Sequence, residues 1–369
     1  MFAVNFNEAV QLLEDVAIRN RMAVCIAGQP GIGKSDMARL LAKRHSARLV
    51  DIRLSQYDSV DLRGIPSIRN VVIPPQVLPG EHLSAQDIAA LSTHTTTTAW
   101  NLPATLPFKG NPNFNENDEL IILFLDELGS AQPAVQAPAY QLTLDRSVGE
   151  HVLMDNVVII AATNRDGDKG VHHRMATPLA NRFVWAELVP DVEASTLYAQ
   201  EQGWPAVWSA FINFRKPLLS TFDDVMQKAP TTKAFATPRS WAKAMMFYAD
   251  QQMSLRTKQI AIAGSVGEGP AADFWSFVDI WQSVATYMPR ILKEPTTVDL
   301  PTEMGLTYAI AVSVSGNMDT KNVATYHSYL VRLDPEYVIL AWQLGINRDK
   351  ALMGTPEFLD FAKRYKAIF

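Results

Sequence analysis

Cysteine is almost absent: Cys25 is the one thiol in 369 residues, which excludes an internal disulfide framework and suits a reducing compartment. Long apolar runs are missing too. None approaches the roughly 18 residues of a membrane span. Over residues 1–14 apolar residues alternate with Asn and Glu, unlike a signal peptide, so a cytoplasmic chain with no membrane partner is expected. An excess of basic charge is also lacking. The 33 Lys and Arg against 38 Asp and Glu leave a formal net charge of -5, so the whole chain does not attract nucleic acid or an anionic membrane. A local basic stripe in an assembly stays open. Lys, Arg and aromatic residues do not interleave in a nucleic-acid-binding pattern, and no repeat of fixed period is visible. What is abundant is apolar: hydrophobic residues make up 48% of the chain and charged ones 19%. That is enough for a large core and excludes a disordered chain. The length allows two or three structural units.

Four short apolar runs, residues 22–27, 49–54, 120–125 and 157–162, are closed by Gly, Asp or Asn and separated by helical patterns. They predict an α/β fold, a parallel sheet covered by helices on both faces. Residues 183–189 can supply a fifth strand. After the first run, Met37, Leu40 and Leu41 line one helix face and Arg39, Lys43 and Arg44 the other. From about Pro190 the texture changes. Six of the eight tryptophans follow residue 200, helical patterns dominate, and no strand run shows before residues 309–314. A helical second part therefore starts near Asp191. Residues 65–118 carry seven prolines and read as loop-rich, and the low-complexity stretch 92–98 (STHTTTT) reads as exposed.

Gly28-Gln29-Pro30-Gly31-Ile32-Gly33-Lys34-Ser35 fits the phosphate-loop pattern G-x-x-x-x-G-K-[ST] in full, after a buried strand and before an amphipathic helix. The glycines let backbone N–H groups and the helix N-terminus face phosphates. Lys34 is placed for the β- and γ-phosphates and the Ser35 hydroxyl for Mg²⁺. A chance glycine turn is the alternative, and the strand–loop–helix setting weighs against it. At the end of the third run stands Asp126-Glu127. Asp126 is a candidate to hold Mg²⁺ through water, and Glu127 to orient and deprotonate an attacking water. Alone, the pair could equally be solvated strand caps. The fourth run ends in Thr163-Asn164; Asn164 could be only a turn residue. A third strand delivering it to the same sheet edge makes it a candidate to position the lytic water.

The order of phosphate loop, Asp126-Glu127, Asn164, Pro178-Leu-Ala-Asn-Arg182-Phe183 and Thr237-Pro238-Arg239 resembles that of AAA+ ATPases. Asp61-Leu-Arg-Gly64 and Leu144-Asp145-Arg-x-x-Gly149-Glu150 make it similar to the MoxR family of bacteria. The likeness runs over about residues 20–245. It implies a P-loop nucleotide-binding domain (1–190, with an insert inside 60–118), an all-helical lid (191–290) and a helical C-terminal extension (291–369). ATP, with Mg²⁺, is then expected between sheet domain and lid. The likeness also implies roles for three arginines. Arg182 would reach the γ-phosphate held by a neighbouring subunit, and Arg174 is a second candidate for that contact. Arg239 would read the nucleotide from the lid of its own subunit. Each could instead form a surface ion pair. Residues 146–153, with Gly149 among β-prone residues, read as a hairpin, which the likeness assigns to an insertion facing a ring pore.

Plainer readings suit the rest. His172-His173 lacks an acidic or cysteine partner at ligand spacing and reads as solvated loop. Cys25 reads as inert core, and the late tryptophans as packing. The resemblance as a whole implies an ATP-hydrolysing homo-oligomeric ring, expected as a hexamer. Its output would be chaperone-like remodelling of a protein client, often one of von Willebrand factor A type. The rivals are a DNA-processing motor, which the acidic balance disfavours, and a nucleotide-gated scaffold with little turnover.

Overall fold

Uninterrupted runs of Val, Ile, Leu and Ala, buried on both faces, build the first sheet of this computed structural model. It describes residues 1–75, 84–115, 120–165, 167–168, 181–229 and 231–366. They divide into two units, Met1–Val189 and Pro190–Phe369. The first opens with β1 (Ala3–Val4), α1 (Phe6–Leu12), β2 (Val24–Gly28), α2 (Lys34–Arg44), β3 (Arg48–Arg53) and α3 (Ser59–Arg63). A hairpin of β4 (Pro66–Ile73) and β5 (Thr93–Trp100) follows, with α4 (Ala85–Leu91) between its strands. Then come β6 (Ile121–Asp126), α5 (Pro133–Leu144), β7 (Ser147–Val148), β8 (His151–Val152), β9 (Val157–Thr163) and β10 (Val184–Leu188).

Six strands form one parallel sheet in the order β1-β10-β2-β9-β6-β3. Strands β2 and β9 are buried along their whole length, which parallel strands between two helical layers must be. The pleat divides the core. Ile122 and Phe124 of β6 join Val24, Ile26, Met37 and Leu41 on the α2 face. Leu123 and Leu125 join Cys25, Val135 and Leu142 on the α5 face. Helix α2 buries Met37, Ala38, Leu41 and Ala42 and places Lys43 and Arg44 in its last turn, where cations complement the dipole. The strand expected from residues 183–189 is β10.

Two expectations are corrected. The segment 65–118 is not loop alone: its described residues include the antiparallel β4–β5 hairpin, paired from Pro66↔Trp100 to Ile73↔Thr93. The threonine run lies in β5 and is exposed where its side chains are described. Threonine is β-branched, so low complexity here still favours extended backbone. Residues 309–314 lie in the helix Met304–Asn317, with Ala309, Ile310, Ala311 and Val314 buried. A helix buried on most of its circumference shows no polar stripe, and a short apolar window then looks like a strand.

The described part of the second unit is helical from Val192 to Arg364 and carries no strand. Aromatic residues fill its core. Trp208 and Trp241 are fully buried with ring centroids 6.4 Å apart, and Trp342 stacks on Phe361 at 5.2 Å. The boundary expected at residue 290 falls inside the helix Glu268–Lys293, and residues on either side of it share one hydrophobic core. Among the described residues no helix is long and apolar enough to cross a membrane.

Candidate functional site

The carboxyl ends of β2, β9 and β6 lie side by side, because these strands are consecutive neighbours in a parallel sheet. Ligands of open α/β sheets bind at such an edge. The loop Gly28–Ser35 leaves β2 there and turns into α2 at Gly33, whose φ of 101° is a left-handed conformation that favours glycine. The first N–H groups of α2 are thereby left facing the loop, as in an anion-binding helix N-terminus.

Lys34 ties this loop to β9. Its Nζ donates to the carbonyls of Gly28 at 2.6 Å and Gln29 at 2.9 Å, and to Asn164 Oδ1 at 3.0 Å. The Ser35 hydroxyl donates to Asp126 Oδ2 at 3.0 Å. Thus Lys34, Ser35, Asp126 and Asn164, from three separate strand ends, meet within hydrogen-bond distance. The Ser35 and Asp126 oxygens are hard donors of the kind Mg²⁺ takes, and the curled loop with its lysine fits a polyphosphate.

Glu127 follows Asp126 with φ 58° and ψ 35°, a left-handed conformation uncommon for a side-chain-bearing residue. Two bonds hold it: its N–H donates to Asp126 Oδ1 at 2.9 Å, and its carbonyl accepts from Ser130 N–H at 2.9 Å. The Ser55 hydroxyl donates to Glu127 Oε2. Ser55 was not foreseen, because a lone serine after a strand carries no sequence signal. Thr163 was missed for the same reason. Its Oγ1 accepts from Gly129 N–H at 3.2 Å and donates to the Asn164 carbonyl at 3.1 Å, joining the segments that follow β6 and β9.

Nearby charges are unequal. Partial burial, then repulsion from Asp126, hold the Asp51 carboxyl above the usual range. Burial pushes the Cys25 thiol up against a smaller opposing effect of Lys34, which leaves it protonated and unreactive.

Of the arginines, Arg182 belongs to the first unit and Arg239 to the second. Arg182 is half-buried and donates to the Tyr140 carbonyl on α5 at 3.2 Å. Arg239 is exposed at the start of the helix Pro238–Ala249, behind its Thr237 cap, and forms no ion pair with a described residue. Arg174 and His172-His173 lie outside the described residues. The hairpin expected around Gly149 is present as β7–β8. The remaining motif residues do structural work. Asp61 caps α3 by accepting from Asp58 N–H at 2.8 Å. Arg146 donates to the Met154 and Val157 carbonyls, and Glu150 accepts from Trp100 N–H at 3.0 Å.

No curated protein matches the chain. Among solved structures, the Holliday junction branch migration motor RuvB of Thermotoga maritima is 14% identical, with 88% of this chain and 87% of that chain covered and a TM-score of 0.30. A variant of the same protein is 13% identical over the same shares, with a TM-score of 0.36. A proposed ATPase from Cytophaga hutchinsonii is 12% identical, with 92% of this chain and 79% of that chain covered and a TM-score of 0.32. Scores this low carry no weight beside the match to a family model, that of the ATPase family associated with various cellular activities (AAA), over residues 24–184. That span takes in the phosphate loop, Asp126-Glu127 and Asn164 on their parallel strands, and its fold, a parallel sheet flanked by helices, is that of an AAA P-loop domain.

Proposed function

We propose that this chain hydrolyses ATP with Mg²⁺ as an AAA+ ATPase of the MoxR type, one subunit of a homo-oligomeric and expectedly hexameric ring that remodels a protein client. The observation carrying this reading is the convergence of Lys34, Ser35, Asp126 and Asn164 at the ends of β2, β6 and β9. Lys34 exchanges its bonds to the Gly28 and Gln29 carbonyls for phosphate oxygens, and N–H groups from Gly31 to Ser35 complete the cradle. Ser35 and, through water, Asp126 would hold the Mg²⁺, which would supply neutralising charge to the phosphates. Glu127 accepts the proton of the attacking water and Asn164 orients that water. Arg182 supplies positive charge to the site of the neighbouring copy, and Arg239 senses the nucleotide of its own. A von Willebrand factor A-type client follows from the family likeness alone, and the net charge of -5 speaks against nucleic acid.

Glu127→Gln separates binding from chemistry. The amide preserves shape while removing the base, so the variant binds ATP at near wild-type affinity. Its turnover falls by roughly 10²-fold or more, the usual scale of general-base loss. Nucleotide titration with phosphate-release kinetics reads both. A variant that hydrolyses ATP at the parent rate removes Glu127 from the mechanism.

A further inference from the structure

Strands β6 and β9 are paired as far as Leu125↔Ala161. Past that pair stand Glu127 on one chain segment and Thr163 on the other, and Asn164 follows. There a side chain carries the link onward. Thr163, the last residue of β9 and 5% exposed, accepts from the buried Gly129 N–H at 3.2 Å and donates to the Asn164 carbonyl at 3.1 Å. A hydroxyl has one proton to give, and both roles are in use, so its rotation is fixed. The β-branched side chain is itself stiff about χ1.

Each end of this bridge sets one residue of the candidate site. Gly129 lies inside the turn that Glu127 opens, where the Glu127 carbonyl accepts from Ser130 N–H at 2.9 Å and Glu127 itself is left-handed, with φ 58°. Pinning Gly129 therefore fixes where that turn, and Glu127 at its head, stands relative to β9. At the other end the Asn164 backbone is held through its carbonyl, while its Oδ1 accepts from Lys34 Nζ at 3.0 Å. Phosphates compete for Lys34. The two Thr163 bonds involve neither Lys34 nor Ser35 and lie outside that exchange.

We propose that Thr163 is a positioning residue for ATP hydrolysis: its hydroxyl holds Glu127 and Asn164 in one fixed relation, so that both act on the same water. The inference rests on the ATPase reading above. A base and an orienting amide serve one water only at a set separation, and a displacement of about 1 Å can cost roughly 10²-fold in rate. The two residues leave different strands, so that separation must be fixed beyond the last paired residues. Packing alone does not call for threonine at this point. The rest of β9 is Val, Ile and Ala, valine has the same shape as threonine, and a buried hydroxyl is unfavourable unless it is bonded. The hydroxyl is there for its two bonds.

The test compares Thr163→Val, which keeps the shape and removes the hydroxyl, with Thr163→Ser, which keeps the hydroxyl. In Thr163→Val, kcat falls roughly tenfold or more, while ATP affinity, read by nucleotide titration, stays within about twofold of the parent. Thr163→Ser turns over within about threefold of the parent. In a Glu127→Gln background, Thr163→Val slows single-turnover hydrolysis by no more than about threefold, because aligning an absent base gains little. Without nucleotide, hydrogen exchange at the Gly129 amide quickens roughly tenfold or more in Thr163→Val and not in Thr163→Ser. Thr163→Ala supplies the same readings should the valine variant not fold. With an active parent that Glu127→Gln stalls, several results overturn the proposal and leave the ATPase reading standing. They are a Thr163→Val chain at the parent rate, an affinity loss as large as the loss of kcat, a Thr163→Ser chain as slow as Thr163→Val, equal losses in both backgrounds, or an unchanged Gly129 amide. A parent chain that hydrolyses no ATP sinks that reading, and this proposal with it.

Discussion

At the end of β6 the backbone of Glu127 turns left-handed, with φ 58°, a conformation costing a side-chain-bearing residue roughly 1–2 kcal/mol. Bonds to Asp126 and Ser130 offset that cost and aim the carboxylate, while the Ser55 hydroxyl occupies Oε2. A carboxylate oxygen that accepts from Ser55 is turned toward that hydroxyl and away from an attacking water. Ser55→Ala removes a hydrogen bond of about 1 kcal/mol, which is about a fivefold effect. The expected outcome is a severalfold rise in kcat with ATP affinity unchanged, measured by steady-state kinetics alongside nucleotide titration. An unchanged kcat shows that the contact does not restrain Glu127.

Among the elements, the β4–β5 hairpin depends on its neck. Gly64 closes α3 with φ 86°, and a Cβ there would lie 1.8 Å from the Asn101 carbonyl oxygen; Asn101 N–H bonds back to the Ile65 carbonyl at 2.9 Å. Gly64→Ala thus meets both a left-handed strain and an overlap with backbone, and is expected to destabilise the first unit by about 2 kcal/mol or more. Gly110→Ala is the control, since Gly110 has φ 81° but open space around its Cβ position. It should cost only the strain, about 1 kcal/mol. Thermal unfolding of both variants checks the order, and a Gly110 variant as damaged as the Gly64 one would refute the neck. This hairpin was also the element least legible in the sequence. Prolines at 66, 74, 75 and 79 argued for loop, yet Pro66 begins a strand and Pro74 and Pro75 follow its end, where a missing N–H harms no ladder. The parallel strands were legible because burial on both faces leaves uninterrupted apolar runs. Lys34, Ser35, Asp126 and Asn164 were legible because each sits at a fixed offset from such a run. Ser55 and Thr163 act through contacts set by the sheet order, which no spacing along the chain reveals.

At the scale of the whole molecule, the proposed ring would account for Arg182, which bonds outside the cluster of Lys34, Ser35, Asp126 and Asn164. Arg182 bonds to α5 through the Tyr140 carbonyl, whereas Lys34, Ser35, Asp126 and Asn164 bond to one another or to the phosphate loop. Arginine supplied across an interface raises turnover by roughly 10³–10⁵ in related P-loop enzymes. Lys34→Ala should lose ATP binding, because the phosphates lose their charged partner in the loop. Arg182→Ala should keep binding and lose nearly all turnover. The central claim, an ATP site built on this chain and completed by a neighbouring copy, is tested most directly by mixing the two inactive variants and measuring phosphate release. In a mixed ring an Arg182→Ala subunit retains a sound phosphate loop and can receive the arginine of a Lys34→Ala neighbour. Partial recovery of ATPase activity in the mixture, with neither variant active alone, is the predicted result. No recovery in rings shown to contain both variants would contradict it.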